Sequence, residues 1–255
     1  GGDTRVALST TVYEDVSPTE TVAVVIGPSA ETPYTPAERA QLRTFVDQGG
    51  TLVIADDFGG GNRLLEGIGA RSRLDGRLLR DPRQHGPTTA MPITAVVSNE
   101  SVFAESDTVM MNHGTVVDTQ NGTVIVRSSE FSYLDRDRDN EIDPNESLAS
   151  YPIVVREDFG AGQVITVSDG SLFINAMLER SETDNEAFSR GLIRNATLVV
   201  LDGSHTSSTP PLQAVLLTLR SNTLLQGGLL LVLSGLGYGL PILSRYRRHQ
   251  ADPRD

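Results

Sequence analysis

Between Asp135 and Glu146 the chain reads DRDRDNEIDPNE, with acidic residues at the spacing of an EF-hand calcium loop. Asp135, Asp137 and Asp139 take positions one, three and five. Glu141 takes position seven through its backbone carbonyl, Asp143 position nine and Glu146 position twelve, with Ile142 at the apolar eighth. Calcium takes about six to eight hard oxygens at ~2.4 Å, and alternate acids in a tight loop turn their carboxylates toward one centre. The sixth position, where glycine normally supplies positive φ, is Asn140, the next most tolerant residue there. The preceding TVIVRSSEFSYL reads as strand. The expectation is therefore a structural Ca²⁺ loop without EF-hand helices.

Three polar clusters each follow an apolar run. Asp56, Asp57, Gly59 and Asn62 follow Thr51–Ala55; Asp169, Gly170, Ser171 and Asn175 follow Gln163–Ser168; Asp202, Ser204 and His205 follow Thr197–Leu201. In an open parallel sheet all three emerge at the carboxyl edge, where ligands bind. Asp56, Asp57, Asn62, Asp169, Ser171, Asn175 and His205 are accordingly candidate ligand-binding residues. Each also has a structural reading: Asp169 and Asn62 as helix caps, the glycines as turns, His205 as a linker residue. A serine hydrolase is the alternative, with Ser171 as nucleophile, His205 as base and Asp56 or Asp169 as third group. Against it, the G-x-S-x-G elbow is absent, because Asp169 and Phe173 stand where the glycines would be. A carboxylate at Asp169 also opposes a developing oxyanion. Ligand binding or assembly is expected ahead of hydrolysis, and a purely structural scaffold is the third reading.

Other candidates are weaker. Asn112-His113 sits in a turn-like MMNHGT, and His85 lies in the polar DPRQHGP. Four His and no Cys offer no zinc spacing. GAGQV and FGGGN match neither a P-loop nor a dinucleotide fingerprint.

The elements that must position these groups alternate. Glu20–Ser29 is a continuous apolar run ending in Gly-Pro, the pattern of a buried strand. A helix follows, with Thr35 as cap, Pro36 at its first position, Glu38 in the capping-box place and a stripe of Ala40, Leu42, Phe45 and Val46; Gly49-Gly50 ends it. Thr51–Phe58 is the next strand and Asn62–Ile68 a short helix. Later, PIVVRED and GQVITVSD read as a hairpin, followed by helices at Ser171–Glu179 and Asn185–Asn195 and a strand at Thr197–Asp202. This predicts an α/β domain over residues 1–206, a mostly parallel, doubly wound, flavodoxin-like sheet with right-handed crossovers. Residues 71–151, with short runs at Ile93–Val97 and Val124–Val126, read as a β-rich insertion carrying the calcium loop, or as irregular edge strands, rather than as an independent domain.

Asn222–Ser244 contains no charged side chain and is long enough to cross a ~30 Å hydrocarbon core. The sequence therefore predicts a juxtamembrane helix (207–221), one transmembrane helix (222–244) and a cytoplasmic tail (245–255). Arg245, Arg247 and Arg248 follow the span, whereas only Arg220 closely precedes it. The positive-inside rule then leaves the large domain extracytoplasmic at the cell membrane, with the lipid bilayer and other membrane proteins as partners. Four N-x-[ST] sequons, at Asn99, Asn121, Asn145 and Asn195, agree but are near chance in a Ser- and Thr-rich chain. No signal peptide opens the sequence.

Composition narrows the classes further. The 255 residues carry 33 Asp and Glu against 21 basic residues, all Arg, for a net charge of −12. No basic stripe exists to displace counterions, so nucleic acid is not an expected partner. The absence of Cys excludes disulfides, thiolate metal sites and a cysteine nucleophile. An acid-rich, Lys-free chain fits a halophilic source, since ~3 Å screening at molar salt removes self-repulsion.

The strings GGTLVIADDFGGGN, SEFSYLDRDRDNEID and VITVSDGSLFINAMLER, with Ser204-His205 ahead of Pro210-Pro211-Leu212, resemble the haloarchaeal domain-of-unknown-function 4350 family. The resemblance implies a class I glutamine-amidotransferase-like fold, a membrane anchor, and a membrane segment and helical stretch ahead of Gly1. It supplies no catalytic residues, and amidotransferase chemistry needs an elbow Cys that this chain lacks.

Overall fold

The computed structural model describes residues 2–206. These residues lie within one compact unit. In order, the elements are β1 (Asp3–Ala7), β2 (Thr21–Ile26), α1 (Pro36–Asp47), β3 (Thr51–Ala55), α2 (Gly61–Ile68), β4 (Arg73–Leu74), β5 (Leu78–Arg80), β6 (Ile93–Val96), β7 (Thr108–Met110), β8 (Val117–Asp118), β9 (Thr123–Arg127), β10 (Tyr133–Asp135), β11 (Pro152–Phe159), β12 (Gly162–Val167), α3 (Asn175–Leu178), α4 (Asn185–Ile193) and β13 (Leu198–Asp202).

Nine strands form one sheet in the order β1-β13-β2-β3-β12-β11-β9-β6-β7. The first five are mutually parallel; from β12 onward every pairing is antiparallel. The expected mostly parallel, doubly wound sheet is thus corrected to a mixed sheet. The tight β11–β12 hairpin reverses chain direction. The unpaired edge of β11 then takes up β9, β6 and β7 from the 71–151 insertion, whose short strands could not satisfy their backbone groups alone.

Alternation along the parallel strands divides the core. Ala23, Val25, Leu52, Ile54 and Val164 face Leu42, Phe45 and Val46 of α1 and Leu64, Leu65 and Ile68 of α2. Val22, Val24, Val53, Ile165 and Val167 face Phe188 and Leu192 of α4. The α1 capping box forms as its sequence predicts: Thr35 N–H reaches Glu38 Oε2 at 2.7 Å and Glu38 N–H reaches Thr35 Oγ1 at 3.4 Å. Ala40 lies outside the buried stripe. The helix expected over Ser171–Glu179 is broken into a 3-10 segment at Gly170–Phe173 and α3, with extended Ile174 between them.

Among the described residues no helix is long and apolar enough to cross a membrane. The juxtamembrane helix, the transmembrane helix at 222–244 and the tail lie outside the described residues. The expected fold class is corrected in that the described residues hold no membrane span, and the expected cell-membrane placement has no span among them to rest on.

Candidate functional site

The acidic loop is launched by a short antiparallel ladder, in which Tyr133, Leu134 and Asp135 of β10 face Arg80, Leu79 and Leu78 of β5. Tyr133 and Leu134 are buried, which draws Asp135 to 1 % exposure beneath the Arg80 guanidinium. Asp135 Oδ1 accepts from Arg138 N–H at 2.7 Å and Oδ2 from Asn140 N–H at 3.3 Å. Burial disfavours the charge, but Arg80 and these amides outweigh it and hold Asp135 below the usual carboxylate range.

Asp137 and Asp139 are exposed, and one carboxylate oxygen from each of Asp135, Asp137 and Asp139 lies within 4.8 Å of the others. Glu146 folds back across the loop, its Oε1 accepting from Arg136 N–H at 2.7 Å and its Oε2 from Asp143 N–H at 3.3 Å. Asn140 adopts φ 68°, as the sixth loop position requires. Desolvation, and then the like charges of Asp137, Asp139, Glu146 and Glu141, push Asp143 up. A hard divalent cation is the species that would relieve such crowding. The loop is tied outward as well: Thr89 Oγ1 donates to Asn140 Oδ1 at 2.6 Å, and the Arg138 guanidinium lies 4.9 Å from the Phe58 ring centre.

The carboxyl edge is arranged as the parallel strands require, with Asp56, Asp169 and Asp202 following or ending β3, β12 and β13. Their oxygens, however, are committed to the protein itself. Asp56 accepts from Gly59 and Gly61 N–H, the latter at 2.7 Å, and so holds the start of α2; burial pushes it up against those amides. Asn62 bridges to Leu74 N–H and C=O, both at 2.8 Å. Asp57 accepts from Phe58 N–H at 2.8 Å. Asp202 accepts from the buried Tyr13 hydroxyl at 2.7 Å and from Ser204 N–H at 2.9 Å.

Asp169 is the hub of this edge. Fully buried, it accepts from Asn112 N–H and Ser171 Oγ, each at 2.6 Å, and from Ser171 N–H at 2.8 Å. Desolvation pushes it up to about 6 despite those bonds. Ser171 Oγ has Asp169 and the Asn112 carbonyl (3.1 Å) as partners, with no imidazole among them. His205 instead packs against Tyr34, the ring centres 4.5 Å apart and tilted by 51°, and uses Nδ1 on the Thr32 carbonyl (2.8 Å) and Nε2 on Glu38 (3.0 Å). The Ser171–His205 pair needed for hydrolysis is therefore not formed. Asn175 is exposed at the start of α3.

Arg80 has no place among the sequence candidates, and Asn112 entered only as a weak one in a turn-like segment. Arg80 lies 55 residues from its partner Asp135, and Asn112 lies 57 from Asp169, so no local pattern announces either. A groove of about 700 Å³ opens away from both clusters, between α4 and the ends of β1 and β13, with Thr4, Val199, Arg190 and Arg194 among its lining.

Comparison with solved structures finds the mmIFT52 N-terminal domain at TM-score 0.53 and 14% identity, covering 73% of this chain and 79% of that one. A β-galactosidase from Bacillus circulans sp. alkalophilus matches at TM-score 0.40 and 16% identity, covering 69% of this chain but 22% of the enzyme. A cytoplasmic protein of Salmonella typhimurium matches at 0.40 and 11%, covering 71% and 73%. At these identities the first shows a shared fold and nothing of function. No functionally curated protein matches the sequence. The family described as Domain of unknown function (DUF4350) matches residues 2–193, and the chain belongs to it.

Proposed function

We propose that this chain is a calcium-stabilised α/β module that binds a ligand or an assembly partner and does not catalyse. The carrying observation is the convergence of the Asp135, Asp137 and Asp139 carboxylates within 4.8 Å, in a loop whose Asn140 is already left-handed. Ca²⁺ would be held by Asp135, Asp137, Asp139, the Glu141 carbonyl, Asp143 and Glu146. The non-catalytic reading is supported by Ser171 and His205 having separate partners, and by the lack of any Cys for amidotransferase chemistry.

Calorimetric titration of chelator-treated full chain with Ca²⁺ tests the first half. Binding at a single site with a rise in Tm is expected, abolished by Asp137→Asn combined with Asp139→Asn. These exposed positions are preferable to Asp135, whose loss would also strand Arg80. Absence of both heat and stabilisation in the wild type overturns the calcium reading. Ester or peptide turnover that vanishes in Ser171→Ala overturns the non-catalytic one.

A further inference from the structure

The two edges of the nine-stranded sheet are finished differently. At the β7 edge every outward backbone group has a partner. Asp184 Oδ2 accepts from Thr108 N–H at 3.0 Å and Asp184 N–H donates to Thr108 C=O at 2.9 Å; Asn185 Oδ1 accepts from Met110 N–H and Asn185 Nδ2 donates to Met110 C=O, both at 2.9 Å. An edge capped in this way cannot accept another strand.

The β1 edge has no such cap. Asp3 N–H donates to Thr197 C=O and Ala7 C=O accepts from Gly203 N–H, both at 2.8 Å, which turns Asp3, Arg5 and Ala7 toward β13 and the backbone groups of Thr4 and Val6 outward. Among the described residues nothing meets them. Asp3 to Val6 are exposed, and the strand contains neither proline nor bulge to discourage pairing. Val6 and its registered neighbour Leu201 are each 38 % exposed.

We infer that β1 is a docking edge for a second copy of this chain, pairing antiparallel about a two-fold axis at Thr4. Charge complementarity chooses both occupant and register. With the axis at Thr4, Asp3 of each copy faces Arg5 of the other in the closely spaced, non-hydrogen-bonded positions. Thr4 faces Thr4 and Gly2 faces Val6 in the hydrogen-bonded positions, where outward N–H and C=O groups exchange bonds. Moving the axis to Arg5 sets Arg5 against Arg5 and is disfavoured by like charge. The pairing is isologous and closes after two copies, since the β7 edges are capped. It also builds a wall along the groove beside α4, covering part of Val6.

The chain contains no Cys, so a single introduced thiol reports only on another copy. Thr4→Cys in the full chain should form a disulfide-linked dimer in a glutathione buffer, because facing Cα atoms lie ~5.5 Å apart. Arg5→Cys should not, its two copies being diagonal at roughly 7–8 Å. In sedimentation, wild type should dimerise with rising concentration. Asp3→Arg should weaken the dimer at least ~10-fold, and Asp3→Arg with Arg5→Asp should restore it. The inference is overturned by a wild type that stays monomeric at about 0.3 mM. It is equally overturned by a dimer indifferent to Asp3→Arg, or by crosslinking at Arg5→Cys instead of Thr4→Cys.

Discussion

Asp135 and Asp169 are both almost wholly buried carboxylates, yet their surroundings move them in opposite directions. Asp135 has Arg80 as counter-charge and lies low; Asp169 has only neutral donors and rises to about 6. The sign of their linkage to stability differs accordingly. Asp135 stabilises above the unfolded carboxylate pKa of ~3.9 and loses that contribution as pH falls. Asp169 binds its proton more tightly when folded, so its contribution is full below ~3.9 and is lost as pH rises through about 6. Asp169→Ala should cost about 2–4 kcal/mol, because the Asn112 and Ser171 amides lose their acceptor. The cost should be greater at pH 4.5 than at 7.5 by on the order of 1–2 kcal/mol, as urea unfolding at the two pH values would read. A smaller cost at pH 4.5 would contradict the assigned direction. Arg80→Gln leaves Asp135 without its counter-charge and should destabilise by about 3 kcal/mol, part of which saturating Ca²⁺ should restore. Stability of Arg80→Gln that is indifferent to Ca²⁺ would count against Asp135 as a ligand.

The helix α1 shows how far a local pattern reaches. Its cap, its N1 proline and, Ala40 apart, its buried stripe are all within twelve residues of one another, and all were legible before the fold. What its cap also does was not. Glu38 serves the box through Oε2 and holds His205 through Oε1, a partner 167 residues away. Thr35→Ala should therefore cost about 1 kcal/mol and Glu38→Ala roughly twice that, measured by denaturant unfolding. Equal costs would mean that the His205 contact contributes nothing. The β11–β12 turn is a second case. Gly160 has φ +59°, and a Cβ there would meet Asp47 Cα at 2.6 Å, so Gly160→Ala should lower stability by about 1–3 kcal/mol. By contrast, the segment after Asp169 carries an apolar pattern that reads as one helix. Asp169 caps the segment as its sequence reading as a helix cap allows, binding both the amide and the hydroxyl of Ser171, but the first turn is 3-10 and extended Ile174 interrupts the helix.

Over the whole chain, acidic residues outnumber arginines by twelve, and lysine is absent. Added monovalent salt should raise Tm up to the molar range by screening that repulsion, and a salt-independent Tm would show the acids to be too dispersed to matter. The sheet shows where sequence reading stops. Strands β2, β3, β12 and β13, the order of helices between them and the spacing of the acidic loop were all determined by apolar runs, glycine turns and alternating acids, which are local signals. Strand β1 was missed: an edge strand with four exposed residues has no apolar pattern to announce it. Whether residues 71–151 formed an insertion or edge strands of the sheet depended on β9, β6 and β7 pairing across gaps in sequence, where backbone hydrogen bonding is indifferent to side-chain type. The polar residues of the carboxyl edge were found from sequence because each follows a strand. That Asn62, Asp169 and His205 also reach Leu74, Asn112 and Glu38 was decided only by tertiary structure, since a buried polar group takes whichever partner the folded chain brings within reach.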